Sequence, residues 1–209
     1  NPDYLFHIGA HTDLEYCESN REDAYETNTS SVKHAVLISN KLQIPLIYIS
    51  TAGIFDGKKL QYDEDDLPVP TSTYAKTKYE AELFVQKNSK KYLICRPGWM
   101  MGGGPNKDKK FINKLISQIK KGKDELFVVD DKTGTPTLTY DFAENLKLLI
   151  ENKQWGLFNM VCSGFVSRLD VASELLSALN LKDKIKLTKV NSEYWSKDYF
   201  APRPDCECL

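Results

Sequence analysis

The fold is decided by one stretch of the chain, Leu46-Ile47-Tyr48-Ile49-Ser50-Thr51. Its first four residues are apolar in succession, which indicates a strand that is buried on both faces. Similar short runs occur over residues 4–9 and 92–95, and helical patterns over residues 23–42 and 73–88 separate the three runs. This alternation predicts an α/β fold with a parallel sheet covered by helices. Parallel sheets bind ligands at the carboxyl ends of their strands, which is where Ser50 and Thr51 lie.

The pattern after Gly104 is less regular. Helices are predicted over residues 109–121, 140–152 and 167–179, and short strands over residues 126–129, 156–161 and 185–190. This mixture predicts a smaller α+β lobe on the carboxyl side of the sheet, tightly joined to the first part of the chain.

Composition excludes several classes of function. The 209 residues include 28 basic and 29 acidic side chains, a net charge of −1, so a nucleic-acid partner is not expected. No apolar run approaches the roughly 20 residues of a membrane helix, so no membrane partner is expected. The five cysteines are widely spaced, which indicates free thiols in a reducing cytoplasm. The three scattered histidines have no metal-ligand spacing, so no metal site is predicted.

The strongest chemical signal is the pair Tyr74 and Lys78, which share one face of a helix at positions i and i+4. A lysine ammonium beside a phenol lowers the tyrosine pKa and prepares it for proton exchange with a carbonyl or alcohol oxygen. Alone, such a pair is more often part of a solvated helix face. Here Ser50 and Thr51, at a strand end 23 to 24 residues earlier, can provide a hydroxyl for the same oxygen.

A strand-end hydroxyl followed by this Tyr–Lys helix resembles the short-chain dehydrogenases/reductases. Three stretches in order, Ile49-Ser50-Thr51-Ala52-Gly53-Ile54-Phe55-Asp56-Gly57, residues 62–70 and residues 74–82, resemble the dTDP-4-dehydrorhamnose reductase family. Gly9-Ala10-His11-Thr12 with Asn28, Gly134-Thr135-Pro136-Thr137 with Asp141, and Arg203-Pro204 with Leu209 extend the resemblance over nearly the whole chain.

The resemblance implies a Rossmann-like sheet and NADPH- or NADH-dependent reduction of a nucleotide-linked 4-keto sugar. Residues 1–104 would form a partial dinucleotide-binding and catalytic domain, and residues 105–209 mainly a substrate-binding lobe with segments returning to the main domain. It also implies a cytoplasmic enzyme and a possible homodimer.

Site residues are carried over from the resemblance one by one. The general acid falls on Tyr74, its lysine partner on Lys78 and the strand-end hydroxyl on Thr51. The implied cofactor-binding residues are Gly9, Ala10, Thr12, Ser50, Tyr74, Lys78, Arg96, Pro97 and Gly98. The implied substrate-binding residues are Thr51, Ala52, Trp99 and Arg203. Two alternatives stay open, that Trp99 only packs the lobes together and that Arg96 forms a structural ion pair.

One departure leaves other functions open. Ala52-Gly53 stands where the family has an acidic and an aromatic residue that would meet the sugar, which puts dehydrorhamnose as the substrate in doubt. A non-catalytic binding or regulatory subunit of the same fold is the main alternative. An NAD-dependent epimerase or dehydratase ranks lower, because Ala52-Gly53 adds no acid beside the hydroxyl.

The sequence has no glycine-rich turn of the kind that seats a pyrophosphate at a helix N-terminus. The resemblance places that turn in a segment of about 55–60 residues that would precede residue 4 and hold three further strands, a length estimated from the size of βαβ units. We therefore expect a piece of a longer reductase, rather than a naturally shortened protein. The strand at residues 4–9 would then lie at an open apolar edge.

Overall fold

The protein is described by a computed structural model that covers residues 2–104, 107–108 and 110–209. The helices are α1 (Leu14–Ser19), α2 (Arg21–Tyr25), α3 (Ser31–Leu42), α4 (Thr73–Asn88), α5 (Phe111–Lys120), α6 (Thr139–Glu151) and α7 (Arg168–Ala178). The strands are β1 (Leu5–His7), β2 (Leu46–Ile49), β3 (Tyr92–Arg96), β4 (Trp99–Met101), β5 (Glu125–Val129), β6 (Thr133–Gly134), β7 (Pro136–Leu138), β8 (Gly156–Asn159), β9 (Val166–Ser167), β10 (Lys186–Val190) and β11 (Cys206–Glu207).

The main sheet has the strand order β1-β2-β3-β8, and neighbouring strands are parallel. Helices α3 and α4 pack on one face, where Val36 and Val85 meet Tyr48 in a buried cluster. Helix α6 packs on the other face, where Phe142 meets Ile47. The strands therefore bury apolar side chains on both faces of the sheet, which explains the uninterrupted apolar runs. This arrangement confirms the predicted α/β fold.

The helix predicted over residues 23–42 is divided into α2, a π-helical turn at Glu26–Ser30 and α3. The turn contains Asn28, whose buried amide bonds to His11 and Thr77 instead of facing solvent. A π-helical turn widens the helix locally and so changes the direction of the side chains it carries. Periodicity alone could not show this interruption.

The second part of the chain contributes both to the main sheet and to the smaller lobe. Strand β8, predicted with the smaller lobe, pairs with β3 in the main sheet, and α6 covers that sheet. The smaller lobe is built on β5 and β10, which pair in parallel and pack against α5 and α7. The helix predicted over residues 109–121 begins at Phe111, and Lys109 lies outside the described residues.

Short strands that the sequence analysis missed connect the two parts. Strand β4 pairs with β7, and β6 pairs with β11 on one side and β9 on the other. Strands of two or three residues carry too few side chains for a period-2 pattern to be visible.

Two cysteines differ from the expected free thiols. Cys17, Cys95 and Cys162 are free, whereas Cys206 and Cys208 are joined by a disulfide. Residues i and i+2 of a strand project from the same face, and the two Cα atoms are 5.4 Å apart, within the range that a disulfide spans.

Strand β1 lies at the edge of the main sheet, as predicted, with Phe6 and Ile8 exposed. Within the described residues, no helix is both long and apolar enough to cross a membrane.

A buried ion pair ties α4 to β3. Arg96 donates from Nε to Glu82 Oε2 at 3.1 Å and from Nη2 to Glu82 Oε1, and both side chains are buried. We expect Glu82→Ala to lower the free energy of unfolding by about 3–5 kcal/mol, because it leaves a buried guanidinium unpaired. Chemical denaturation would measure the loss, with Glu80→Ala on the exposed face of α4 as the control. Equal effects of the two substitutions would contradict this role.

Candidate functional site

The structure brings Tyr74, Lys78 and Thr51 together at the carboxyl end of β2. Helix α4 starts beside that end because the Ser72 side chain caps it, accepting the Ala75 N–H at 3.1 Å. Thr73 adds a second anchor, donating to Glu18 of α1 from its N–H at 2.6 Å and its hydroxyl at 2.8 Å. These contacts place Tyr74 in the first turn of α4, next to the strand end.

Lys78 is almost fully buried. Its Nζ donates to the Ile49 carbonyl oxygen at 2.7 Å and lies 4.3 Å from the centre of the Tyr48 ring. Burial lowers the pKa of Lys78 to about 7, and the negative charge of Glu82 opposes part of this change. The ammonium is thus held at the strand end at a high cost in solvation.

The expected lowering of the Tyr74 pKa is wrong for this structure. Burial raises the pKa of Tyr74 to about 12, the Thr51 hydroxyl lowers it in part, and the Glu207 carboxylate raises it further. Lys78 has no comparable effect because its ammonium is turned to the Ile49 carbonyl. The phenol is therefore protonated at neutral pH, the form that a proton donor needs.

The segment after β2 is arranged around Thr51. Its Oγ1 accepts the Gly53 N–H at 3.1 Å, which starts a short 3-10 turn and leaves the hydroxyl hydrogen free to donate. Ser50 Oγ is buried and has no hydrogen-bond partner among the described residues. Ala52 is fully buried in an apolar cluster with Phe55, so the structure does not bring it to the cleft surface as the substrate contact expected from the resemblance.

The loop after β1 carries Gly9, Ala10 and Thr12. Asn28 holds it, since the amide accepts the His11 N–H at 2.8 Å and donates to the His11 carbonyl at 3.1 Å. On the outer side, Lys110 Nζ donates to the Thr12 carbonyl at 3.1 Å. The loop is thereby fixed beside the carboxyl end of β1, with Gly9 in open surroundings.

The segment after β3 has a mixed outcome. Arg96 forms the structural ion pair that was the alternative to a cofactor contact, although its Nη1 has no partner among the described residues. The Pro97 carbonyl accepts the Ala52 N–H at 2.9 Å. Gly98 lies so close to Thr135 that a Cβ atom would overlap the carbonyl oxygen, which explains the glycine.

Trp99 lies between the backbone of β6 and a cation. Its indole packs against Gly134. On the other side, the guanidinium of Arg168, the first residue of α7, lies 3.5 Å from the ring centre. The side chain is 7% exposed, yet its Nε1 has no hydrogen-bond partner among the described residues. Trp99 packs the lobe, and its indole N–H acts on the Glu207 carboxyl group.

Arg203, expected to bind substrate, is occupied elsewhere. Its two terminal nitrogens donate to both carboxylate oxygens of Glu15 at 2.7 and 2.9 Å, and Nη1 also donates to the Ala201 carbonyl. The contact fixes the end of the chain on α1. This partner is 188 residues away in sequence, so no local pattern indicates it.

Sequence reasoning missed Glu207 and Arg168. Burial raises the pKa of the Glu207 carboxyl, and Arg168 and the Trp99 indole oppose this change. Burial also lowers the pKa of Arg168 to about 10. Neither side chain has the spacing of a known motif, and only β11 and β9, on either side of β6, bring them near Trp99.

The residues present fit the nicotinamide end of a dinucleotide. The Lys78 ammonium and the unpaired Ser50 Oγ lie at one strand end, and the Asn28-held loop lies at the next. Among the described residues, no group of His, Cys, Asp or Glu side chains could hold a metal ion.

The comparisons with known proteins agree with this geometry. The family described as RmlD substrate binding domain matches residues 1–206. The dTDP-4-dehydrorhamnose reductase of Mycobacterium tuberculosis (strain H37Rv) is 30% identical over 213 residues, covering 99% of this chain and 68% of that protein. The chain belongs to the dTDP-4-dehydrorhamnose reductase family.

Other relatives within the family point the same way. The Spore coat polysaccharide biosynthesis protein SpsK of Bacillus subtilis is 31% identical, covering 97% of this chain and 69% of that protein. A crystal structure of the Clostridium acetobutylicum dTDP-4-dehydrorhamnose reductase is 33% identical with a TM-score of 0.91, covering 100% of this chain and 71% of that chain. The Bacillus anthracis reductase, crystallised in complex with NADP, is 28% identical with a TM-score of 0.92, covering 100% of this chain and 72% of that chain.

The position of the Trp99 indole requires a glycine at residue 134, because a Cβ atom on this residue would overlap the indole ring. We expect Gly134→Ala to lower the free energy of unfolding by about 1–3 kcal/mol, the usual cost of overpacking. Gly9→Ala is the matched control, since a Cβ at Gly9 has no neighbour within 4 Å. Chemical denaturation of both variants checks the difference, and an unchanged Gly134→Ala protein would show that the indole does not rest on β6.

Proposed function

We propose that this chain carries the catalytic centre of an NADPH- or NADH-dependent reductase acting on the C4 carbonyl of a nucleotide-linked sugar. The observation that carries the proposal is the protonated Tyr74 phenol beside Thr51 at the end of β2, with Lys78 one turn along α4. The relatives named dTDP-4-dehydrorhamnose reductase and the Bacillus anthracis complex with NADP support the same reading.

In this reading the nicotinamide, when bound, supplies the hydride. Tyr74 donates its proton to the carbonyl oxygen as that oxygen gains negative charge, and the Thr51 hydroxyl donates a second hydrogen bond to the same oxygen. Burial and Glu207 keep the Tyr74 pKa at about 12, so the phenol holds its proton until the substrate oxygen becomes basic.

Lys78 supports the reaction in two ways. Its ammonium, held at the end of β2, can bond the nicotinamide ribose. Because burial holds the pKa of Lys78 at about 7, the group can also release a proton to restore the tyrosine. A lysine pKa lowered this far is typical of catalytic sites and fits catalysis better than a purely structural role.

The remaining assignments are part of the proposal. The cofactor would meet the backbone of Gly9, Ala10 and Thr12 on one side and the segment of Pro97 and Gly98 on the other. The sugar would meet the Trp99 ring. Arg96 and Arg203 would act mainly through their ion pairs with Glu82 and Glu15. A homodimer and a cytoplasmic location remain predictions.

Tyr74→Phe tests the proton donor. We expect its kcat to fall by about a hundredfold or more, because the substrate oxygen loses its acid. Oxidation of NADPH with dTDP-4-dehydrorhamnose, followed by absorbance, measures the loss. Tyr140→Phe, at an exposed tyrosine, is the control.

Two outcomes would overturn the proposal. Absence of turnover by the wild-type protein on any nucleotide-linked keto sugar, with dinucleotide binding intact, would favour the non-catalytic binding subunit. Full activity of Tyr74→Phe would remove the tyrosine from the mechanism.

Lys78→Met separates function from stability. The pKa of Lys78 is about 7 in the folded protein and 10.5 for an ordinary lysine, as in the unfolded chain. Below pH 7 the lysine is charged in both states, so folding then bears the full cost of burying the charge. This cost decreases as the pH rises from 7 to 10.5. We therefore expect Lys78→Met to abolish turnover while raising the Tm, more at pH 6.5 than at pH 9.

Thermal unfolding at the two pH values measures this effect. Lys76→Met, an exposed position on the same helix, is the control and should leave both Tm values unchanged. A lower Tm for Lys78→Met at pH 6.5 would show that the lysine is a structural residue.

A further inference from the structure

Glu207 lies on a strand that points it into the catalytic cleft. On β11 and the residue after it, Cys206 and Cys208 are buried on one side, and Glu207 projects from the opposite side. The backbone around it is fixed, because the Cys208 carbonyl accepts the Tyr62 N–H at 2.9 Å. The disulfide brackets the glutamate on both sides.

The carboxylate borders the same space as the catalytic hydroxyl. A methyl group placed on Gly53 would lie 3.5 Å from Thr51 Oγ1 and 3.7 Å from Glu207 Oε2. The electric field of Glu207 also acts on the Tyr74 phenol. A sugar whose carbonyl oxygen meets Tyr74 and Thr51 therefore has the carboxylate beside the carbons next to that carbonyl.

The Glu207 carboxylate keeps acceptor capacity for a ligand. Among the described residues, the side-chain donor that acts on it is the Trp99 indole N–H, which opposes the rise in the Glu207 pKa that burial causes. Arg168 acts on it through its charge. A carboxylate has about four acceptor positions on its two oxygens, so a ligand hydroxyl can bind beside the indole.

Arg168 is the cation that acts on this carboxyl group. It is anchored as the first residue of α7 by the Ser167–Asp170 capping box, and its guanidinium stacks on Trp99 and lies 5.1 Å from the Phe111 ring centre. From there its positive charge opposes the rise in the Glu207 pKa that burial causes. The carboxyl oxygens can accept a hydrogen bond from a ligand hydroxyl group.

We propose that Glu207 is a substrate-binding residue that accepts a hydrogen bond from the sugar hydroxyl on the carbon next to the reacting carbonyl, and that Arg168 is its positioning residue. The assignment rests on the proposed reductase function and deepens it. It supplies, from the end of the chain, the acidic contact with the sugar that Ala52-Gly53 lacks. The substrate class is thereby narrowed to keto sugars that keep this hydroxyl.

The test combines variants with altered substrates. The wild-type protein should lose about tenfold or more in kcat/KM when dTDP-4-dehydrorhamnose is replaced by its 3-deoxy analogue, the size of a hydrogen bond to a charged group. In Glu207→Ala the two substrates should differ by less than threefold, because the partner of the hydroxyl is gone. The 2-deoxy analogue is the control substrate and should affect both proteins equally.

A split between KM and kcat separates binding from structure. Glu207→Gln should raise KM about tenfold with a smaller change in kcat, and Arg168→Gln should do the same more weakly. Asp205→Asn, an exposed acid two residues away, should leave both constants unchanged. Equal 3-deoxy losses in the wild type and Glu207→Ala would overturn the proposal even if the Tm of the variant fell.

A binding measurement distinguishes this failure from failure of the reductase function. Calorimetric titration of dTDP-rhamnose into the protein without dinucleotide should show weaker binding for Glu207→Ala than for the wild type. If the wild type turns over but neither measurement depends on Glu207, only the present inference fails. If the wild type does not turn over but binding still depends on Glu207, the sugar contact stands and the reductase function fails.

Discussion

The hydrogen bond from the buried Lys78 ammonium to the Ile49 carbonyl is the contact on which the site depends. It joins the second turn of α4 to the last residue of β2, where the hydroxyls of Ser50 and Thr51 begin. The Ser72 cap and the two hydrogen bonds from Thr73 to Glu18 hold the first turn of α4 from the other side. The cost of the Lys78 contact is a buried charge, which the pKa of about 7 records. The fold tolerates this cost because Glu82, also buried on α4, offsets part of it.

A second constraint comes from a small sheet that crosses between the lobes. In the order β11-β6-β9, the central Gly134 pairs with Glu207 on one side and Val166 on the other. The Trp99 indole rests on that glycine, and Arg168 follows β9 directly. One wall of the cleft is thus built from segments around residues 99, 134, 168 and 207, which are far apart in the sequence.

Sequence reasoning succeeded where local pattern and chemistry coincide. The strand ending at Thr51 and the helix starting before Tyr74 are visible because apolar runs and caps are local signals. It did less well for the arginines, since the resemblance placed both Arg96 and Arg203 near ligands. The structure pairs them with Glu82 and Glu15, which lie 14 and 188 residues away in the sequence, so neither pair depends on a local pattern.

The sequence by itself determined the parallel sheet, the order of its elements along the chain and the Tyr74–Lys78 pair, because continuous apolar runs and a helical spacing of four residues are visible in the sequence. The tertiary structure decided the protonation of that pair. Burial and Glu207, 133 residues beyond Tyr74 in the numbering, raise the tyrosine pKa, while the lysine turns to a backbone carbonyl. A pKa depends on the distances between charges and on their exposure to solvent in the folded protein, and the spacing of residues along the chain determines neither.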